Sequence, residues 1–198
     1  TCQHFARLKK CGGKKLRFKP LAGAVQALRV VKDKDEVSLI RAAAIKSAND
    51  AATAIGDAIE GNRKAFAARM NRTAKALGMS RTTFKNANGL TAEGHLSTAR
   101  DMTTLGRRLF FDFPQYYKYF SVRSFTYGRS RMNNHNKRLG RVEGVDGIKT
   151  GYTRMSGFNL VSSVSVDGKK VVAVVLGGKS GKSRDAEMAG LIRKFVPK

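Results

Sequence analysis

From Asp35 onward, apolar residues recur at helical spacing. Val37, Ile40, Ala44 and Ile45 share one face and predict a short helix that stops near Lys46. Ala51, Ile55 and Ile59 predict a second helix over 50–60, entered through the loop Ser47-Ala48-Asn49. Gly61 ends it, and Asn62 opens a third whose apolar side is Phe66, Met70, Ala74 and Leu77, closed by Gly78 as a left-handed cap. The turn formers between Phe84 and Leu90 predict loop. Thr98 and Asp101 form a capping-box pair at the head of a helix running to about Leu109. A Phe- and Tyr-rich stretch follows from Phe110 to Tyr127, broken by Pro114, and is expected to pack in core and interfaces. The period then shortens. Phe158 to Val166 and Lys169 to Leu176 are β-rich runs on either side of Asp167-Gly168, a strong hairpin signal, and a neighbouring strand is predicted from Ile148 to Thr153. Arg184 to Phe195 predicts a closing helix with Met188, Leu191, Ile192 and Phe195 inward. Central helices followed by late antiparallel strands give an α+β class, with helices packed on a sheet.

Residues 1–34 lack this order. Apart from a short apolar piece from Leu21 to Val31 they show neither period, and they carry ten basic side chains against one acidic. Both cysteines, Cys2 and Cys11, lie here without partners at metal-ligand spacing, so a zinc site has little support while a disulfide stays open. The chain is expected to divide into a basic segment, 1–34, and a patterned domain, 35–198. Its 198 residues suit one cored domain. A hydrophobic content of 41% is too high for a disordered polycation, and no run approaches the roughly 20 apolar residues that span a bilayer. No secretory leader pattern is present. The net charge of +25 suits any anionic polymer or membrane surface as well as nucleic acid. The aromatics do not interleave with the basic residues as a base-stacking surface requires, so nucleic acid ranks last.

Two triplets carry candidate chemistry, Ser47-Ala48-Asn49 between helices and Lys149-Thr150-Gly151 at a strand start. An S-x-N arises by chance in on the order of every second chain of this length and a K-T-G in about one in twenty, so context must decide. Acyl transfer at an amide needs a proton relay, oxyanion donors and groups that hold a peptide and its carboxylate. Ser47 can relay a proton to a leaving amine, and Asn49 can hold a peptide amide through both donor and acceptor. Lys149 supplies positive charge, Thr150 a hydroxyl, and Gly151 the missing Cβ that lets a substrate backbone lie along the strand. Taken singly, each also reads as a helix cap, a solvated lysine or a strand kink.

With these triplets stand three further stretches: Phe84-Lys85-Asn86-Ala87-Asn88-Gly89-Leu90, Ser97-Thr98-Ala99-Arg100-Asp101-Met102 and Asn133-Asn134-His135-Asn136. Together with Ile45 to Ala52 and Gly144 to Thr153, they make the chain from about Asp35 resemble the serine-type D-alanyl-D-alanine carboxypeptidases, low-molecular-weight penicillin-binding proteins of the DacA type. The resemblance implies an incomplete penicillin-binding/β-lactamase-like transpeptidase fold. It implies that Ser47 and Lys149 are catalytic, that Asn49, Thr150, Gly151 and Tyr152 bind substrate, and that the Tyr152 N–H contributes to the oxyanion hole. Arg184, in Ser183-Arg184-Asp185-Ala186-Glu187, matches an arginine that helps hold the terminal carboxylate. The implied partners are a peptidoglycan stem peptide ending in D-Ala-D-Ala, and β-lactams as its mimics. No metal or organic cofactor is implied. The implied location is the bacterial cell envelope, in the periplasm or on the outer face of the cytoplasmic membrane, with attraction to the membrane surface.

The family's nucleophile, the Ser of S-x-x-K, is missing. No serine here stands three residues before a lysine, and Ser38-Leu39-Ile40-Arg41 offers an arginine, which does not serve as a base. The expectation is therefore a family member truncated or altered at its N-terminus, with residues 1–34 foreign or read in a shifted frame. A catalytically inactive module that binds peptidoglycan peptide or penicillin is the alternative. His135 reads equally as a loop residue and as a site neighbour.

Overall fold

The computed structural model describes residues 34–127 and 129–196. Expectations for residues 1–33, Cys2 and Cys11 included, lie outside the described residues. Two compact units are distinguished, residues 1–38 and 39–198. Of the first, only the opening of helix α1 is described; the strands and the other helices belong to the second.

Helix α1 (Lys34–Arg41) runs into a π-helical turn (Ala42–Lys46), then come α2 (Asn49–Glu60) and α3 (Arg63–Ala76). Gly61 ends α2 at φ 79°, and the Asn62 side chain caps α3 by accepting from the Ala65 N–H at 2.9 Å. Asn49, expected in the loop, is instead the first residue of α2. The 84–90 stretch is loop, as the turn formers require, and side chains hold it. Asn71 clamps Phe84 from both ends of its amide, at 2.9 and 2.7 Å, and Asn88 Nδ2 donates to Thr53 Oγ1 on α2 at 3.1 Å.

Helix α4 (Ala99–Asp112) starts as predicted at Thr98, which accepts from the Asp101 N–H at 3.2 Å. The Asp101 carboxylate instead holds the preceding loop, accepting from Arg81 N at 2.9 Å and Thr82 Oγ1 at 2.7 Å. The Thr82 hydroxyl bond is the main reason its pKa falls below the ordinary value, with the Arg81 N–H adding to it. The aromatic stretch forms α5 (Pro114–Tyr117), a 3₁₀ turn (Lys118–Ser121) and strand β1 (Ser124–Tyr127), which pairs with β2 (Ser130–Asn133). Phe110, Tyr117 and Phe120 pack edge to face, as expected of core aromatics, whereas Phe111 and Phe113 are exposed. The β1–β2 hairpin was not predicted: β1 holds Phe125, Thr126 and Tyr127, but Ser130-Arg131-Met132-Asn133 of β2 has no β-branched or aromatic residue to signal a strand.

Strands β3 (Val145–Thr153), β4 (Gly157–Val166) and β5 (Lys169–Gly178) form an antiparallel sheet in the order β3-β4-β5. The β4–β5 hairpin turns at Asp167 and Gly168, at φ 48° and 72°, the left-handed pair that Asp-Gly supplies. Helix α6 (Gly181–Phe195) covers one face, capped by Ser180 and Ser183 reciprocally. Met188 and Ile192 of α6 pack there against Leu160, Val164 and Val175 of the sheet. Each fully buried side chain of this size contributes roughly 1.5–3 kcal/mol. Phe195 does not join them: it is 60% exposed, the last helical residue, with the Lys194 ammonium 5.2 Å from its ring. Helix α4 covers the other face, where Gly106 brings its backbone against Ile148, Val161 and Val172. The result is the expected α+β arrangement, with β3 at one edge of the sheet.

Candidate active site

Ser47 follows the π-helical turn, whose Ile45 is fully buried and anchors it. The turn closes through Ala48 N donating to Ala42 O at 3.1 Å. It leaves Ser47 at φ 59°, ψ 39°, a left-handed conformation that costs a non-glycine residue about 1–2 kcal/mol. Lys149, 102 positions later on β3, donates from Nζ to Ser47 Oγ and to the Thr150 carbonyl, both at 2.7 Å. Burial of the ammonium lowers the Lys149 pKa from 10.5 to about 8. An amine that releases its proton this close to neutrality, hydrogen-bonded to a hydroxyl, has the geometry and the acidity that proton exchange between the two requires.

His135 lies in the exposed loop after β2, and its pKa is lowered, first by desolvation and then by Lys149, Lys46 and Lys137. At neutral pH it is an uncharged imidazole among cations, not a base with an acidic partner.

The remaining candidates surround this pair to different degrees. Asn49 is exposed at the start of α2, two residues from Ser47. Thr150 and Gly151 continue β3, opposite Leu160 and Asn159. A Cβ added to Gly151 would meet only Asn159 Cβ, at an ordinary 3.8 Å, so the fold does not itself demand glycine there. Tyr152 is 59% exposed and rests on the Phe158 ring, centroids 4.3 Å apart. Among the described strands β3 pairs only with β4, so its outer edge turns alternate N–H and C=O groups to the open side.

Arg184 is 7% exposed in the first turn of α6, and its Nε and Nη2 donate to Asp185 Oδ1 at 3.0 and 2.7 Å. Its Nη1 reaches the carbonyl of Asn159, the cross-strand partner of Gly151, at 3.4 Å. Arg138 adds a second cation to Asp185, Nη2 to Oδ2 at 3.5 Å. The structure therefore joins Ser47 and Lys149 directly and sets Arg184 behind the strand at the level of Gly151. Three polar residues given no role from sequence brace this strand, Asp146 from within it. Asn136 Nδ2 and Ser162 Oγ both donate to the Gly147 carbonyl, at 3.0 and 3.1 Å, and Asp146 binds the neighbouring strands. Asn136 and Asp146 sit inside the motif stretches, but only the tertiary fold shows what they hold.

A model of the D-alanyl-D-alanine carboxypeptidase family matches residues 22–180. The chain is 39% identical over 166 residues to the D-alanyl-D-alanine carboxypeptidase DacC of Escherichia coli K12, covering 82% of this chain and 42% of that protein. It superposes on penicillin-binding protein 5 of Haemophilus influenzae with a TM-score of 0.77 and 33% identity, over 80% of this chain and 46% of that one. Penicillin-binding protein D2 of Listeria monocytogenes, solved with bound cefotaxime, matches with a TM-score of 0.75 and 31% identity, over 90% and 73% of the two chains. The chain thus spans about two fifths of the length of the curated relatives it matches.

Proposed function

Because the chain belongs to the D-alanyl-D-alanine carboxypeptidase family, we propose that its site serves serine-type removal of the terminal D-Ala from peptidoglycan stem peptides. The observation that carries this is the 2.7 Å hydrogen bond from Lys149 to Ser47, which joins the two motifs across 102 residues. In the reaction, a nucleophilic hydroxyl adds to the penultimate D-Ala carbonyl, the amide C–N bond breaks, and water later hydrolyses the acyl-enzyme ester. The proton given up by the nucleophilic hydroxyl is taken by Lys149 in its neutral form and passed through Ser47 to the departing amine. Asn49 holds the peptide amide, the Tyr152 N–H faces the oxyanion, and Thr150 with Arg184 binds the terminal carboxylate, the substrate lying along Gly151. β-Lactams occupy the same cleft as mimics of that peptide. The working location is the cell envelope, where the basic surface favours anionic polymers and membrane.

A second reading is a binding module without turnover, which the carboxylate-holding side of the site, Lys149, Thr150 and Arg184, would serve by itself. The test is D-alanine release from a peptide ending in D-Ala-D-Ala, run beside fluorescent-penicillin labelling with the labelled residue mapped by mass spectrometry. Release that is lost in Ser47→Ala and Lys149→Ala supports the carboxypeptidase. Saturable peptide binding without release or label supports the module. Neither binding nor release refutes both.

A further inference from the structure

We propose that Asp146 is a positioning residue: its carboxylate pins the register of β3 and so places Lys149 on the Ser47 side of the sheet. The observation is a step in the β3–β4 ladder at this residue. Val145 sits opposite Val164 and Gly147 opposite Ser163, so Asp146 is the one extra residue of a bulge. Every later pair follows from that step, including Lys149 opposite Val161.

A slip of one residue would set Lys149 opposite Leu160, whose side chain is fully buried in the core against α6. Because side chains alternate across a strand, the ammonium would then leave the face that meets Ser47. Buried Val145 and Ile148, with Asn136 and Ser162 on the Gly147 carbonyl, oppose such a slip, while Gly147 and Gly151 add no side chain to that effort and the bulge needs its own hold.

The Asp146 carboxylate supplies that hold. Ser163 Oγ donates to Oδ1 at 2.6 Å, while Ser165 Oγ, at 2.9 Å, and Lys170 Nζ donate to Oδ2. Ser163 and Ser165 lie on one face of β4, and Lys170 on β5 is the cross-strand partner of Ser165, so the carboxylate reaches all three donors from this register. The donors are themselves fixed. Lys170 Nζ lies 4.0 Å and 4.3 Å from the centres of the Phe110 and Tyr117 rings, and the buried Tyr117 hydroxyl donates to Ser163 Oγ at 2.7 Å. Asp146 is thus tied to β4, β5 and α5 three residues before the lysine it places.

That Asp146 serves catalysis rests on the relay proposed above, whereas its control of Lys149 does not, and the experiment reads the latter. In the full chain with isotope-labelled lysine, the Lys149 side-chain signal is assigned by its loss in Lys149→Met. Its titration midpoint and the cross-strand contact between residues 149 and 161 are then followed by NMR in the parent, Asp146→Ala, Asp146→Asn and the control Asp167→Asn. Parent and control are expected to keep the 149–161 contact and a midpoint of about 8. In folded Asp146→Ala the contact is lost and the midpoint departs from about 8, as Lys149 leaves the Ser47 hydroxyl and the Thr150 carbonyl that now hold it. Asp146→Asn keeps the shape and one acceptor but turns an N–H₂ towards Lys170, and its midpoint moves part of the way in the same direction as in Asp146→Ala. If Asp146→Ala does not fold, the asparagine variant decides. A purely structural Asp146 would lower thermal stability yet leave register and midpoint unmoved, and that result in a folded variant overturns the proposal. Absent D-alanine release with normal Lys149 behaviour would count against the carboxypeptidase and not against Asp146.

Discussion

Replacing Lys149 by methionine is expected to make the protein more stable at neutral pH and inactive. Burial holds the Lys149 pKa at about 8 against 10.5 for an ordinary lysine, and a gap of that size corresponds to about 3 kcal/mol of penalty on the charged form. Methionine matches the lysine stem in length and carries no charge to desolvate, but it leaves Ser47 Oγ and the Thr150 carbonyl without the donor they have now. At about 1 kcal/mol for each lost bond, the net gain at pH 7 is about 1–2 kcal/mol. Its pH dependence is the sharper signature. Between the folded and unfolded pKa values the unfolded parent binds more protons than the folded parent, so parental stability rises with pH across about 8 to 10.5 and the penalty disappears. The methionine variant lacks that slope. Urea unfolding of both proteins from about pH 6 to pH 11 should show an advantage for Lys149→Met that is constant below about pH 8, falls as pH rises, and has become a deficit of about 2 kcal/mol by about pH 10.5, where only the lost hydrogen bonds count. A variant less stable than the parent at pH 7, or a difference that ignores pH, would refute a buried ammonium beside Ser47.

Three other perturbations follow from particular contacts. His135 should titrate below 6.5 by NMR, and both added salt and Lys149→Met should raise its midpoint, since Lys149 is among the cations that depress it; an unchanged midpoint in the variant would place Lys149 elsewhere. Gly106→Ala would set a Cβ 3.0 Å from Ile148 Cδ1 and Val172 Cγ1, so these side chains or α4 must give by a few tenths of an ångström, at a cost of about 1–3 kcal/mol read from the urea midpoint. Ser47→Gly relieves about 1–2 kcal/mol of left-handed strain but removes the hydroxyl that accepts from Lys149 at a cost of about 1 kcal/mol, so its stability should stay within about 1 kcal/mol of the parent while activity is lost, whereas β-branched Ser47→Val should be destabilised by about 2 kcal/mol or more.

What the sequence revealed depended on how local the cause was. The Asp167-Gly168 turn fixes its hairpin through two positive φ values that those residues accept readily, and it was legible from two letters. Thr98 was legible as a cap because its hydroxyl acts on a backbone N–H three residues away. Its supposed partner Asp101 was not, because its carboxylate serves Arg81 and Thr82, twenty and nineteen residues back. The same limit governs the candidate site. Ser47 and Lys149 were found as residue types in motifs, but their 2.7 Å contact exists only because β3 pairs with β4 in one register and the π-helical turn bends the chain at Ser47. Asp146 escaped notice for that reason: an aspartate before Gly147 has no periodic signature, and its partners are distributed over two other strands.

Two local penalties that have no connection in sequence meet at one hydrogen bond. Ser47 holds a backbone conformation that costs about 1–2 kcal/mol, and Lys149 holds a buried ammonium that costs about 3 kcal/mol. A folded domain of ordinary size has a net stability of about 5–15 kcal/mol, so together these take a large share of the margin. Glycine at 47 and methionine at 149 would relieve both without changing the fold. Features that break local rules, at a cost the surrounding fold must absorb, gather where chemistry needs them. The Asp146 network belongs to the same logic, since a strand that aims a charged amine at Ser47 must be prevented from turning it to the opposite face of the sheet. The strength of the candidate site lies less in its motif letters than in the coincidence of strain, desolvation and register at the contact between Ser47 and Lys149.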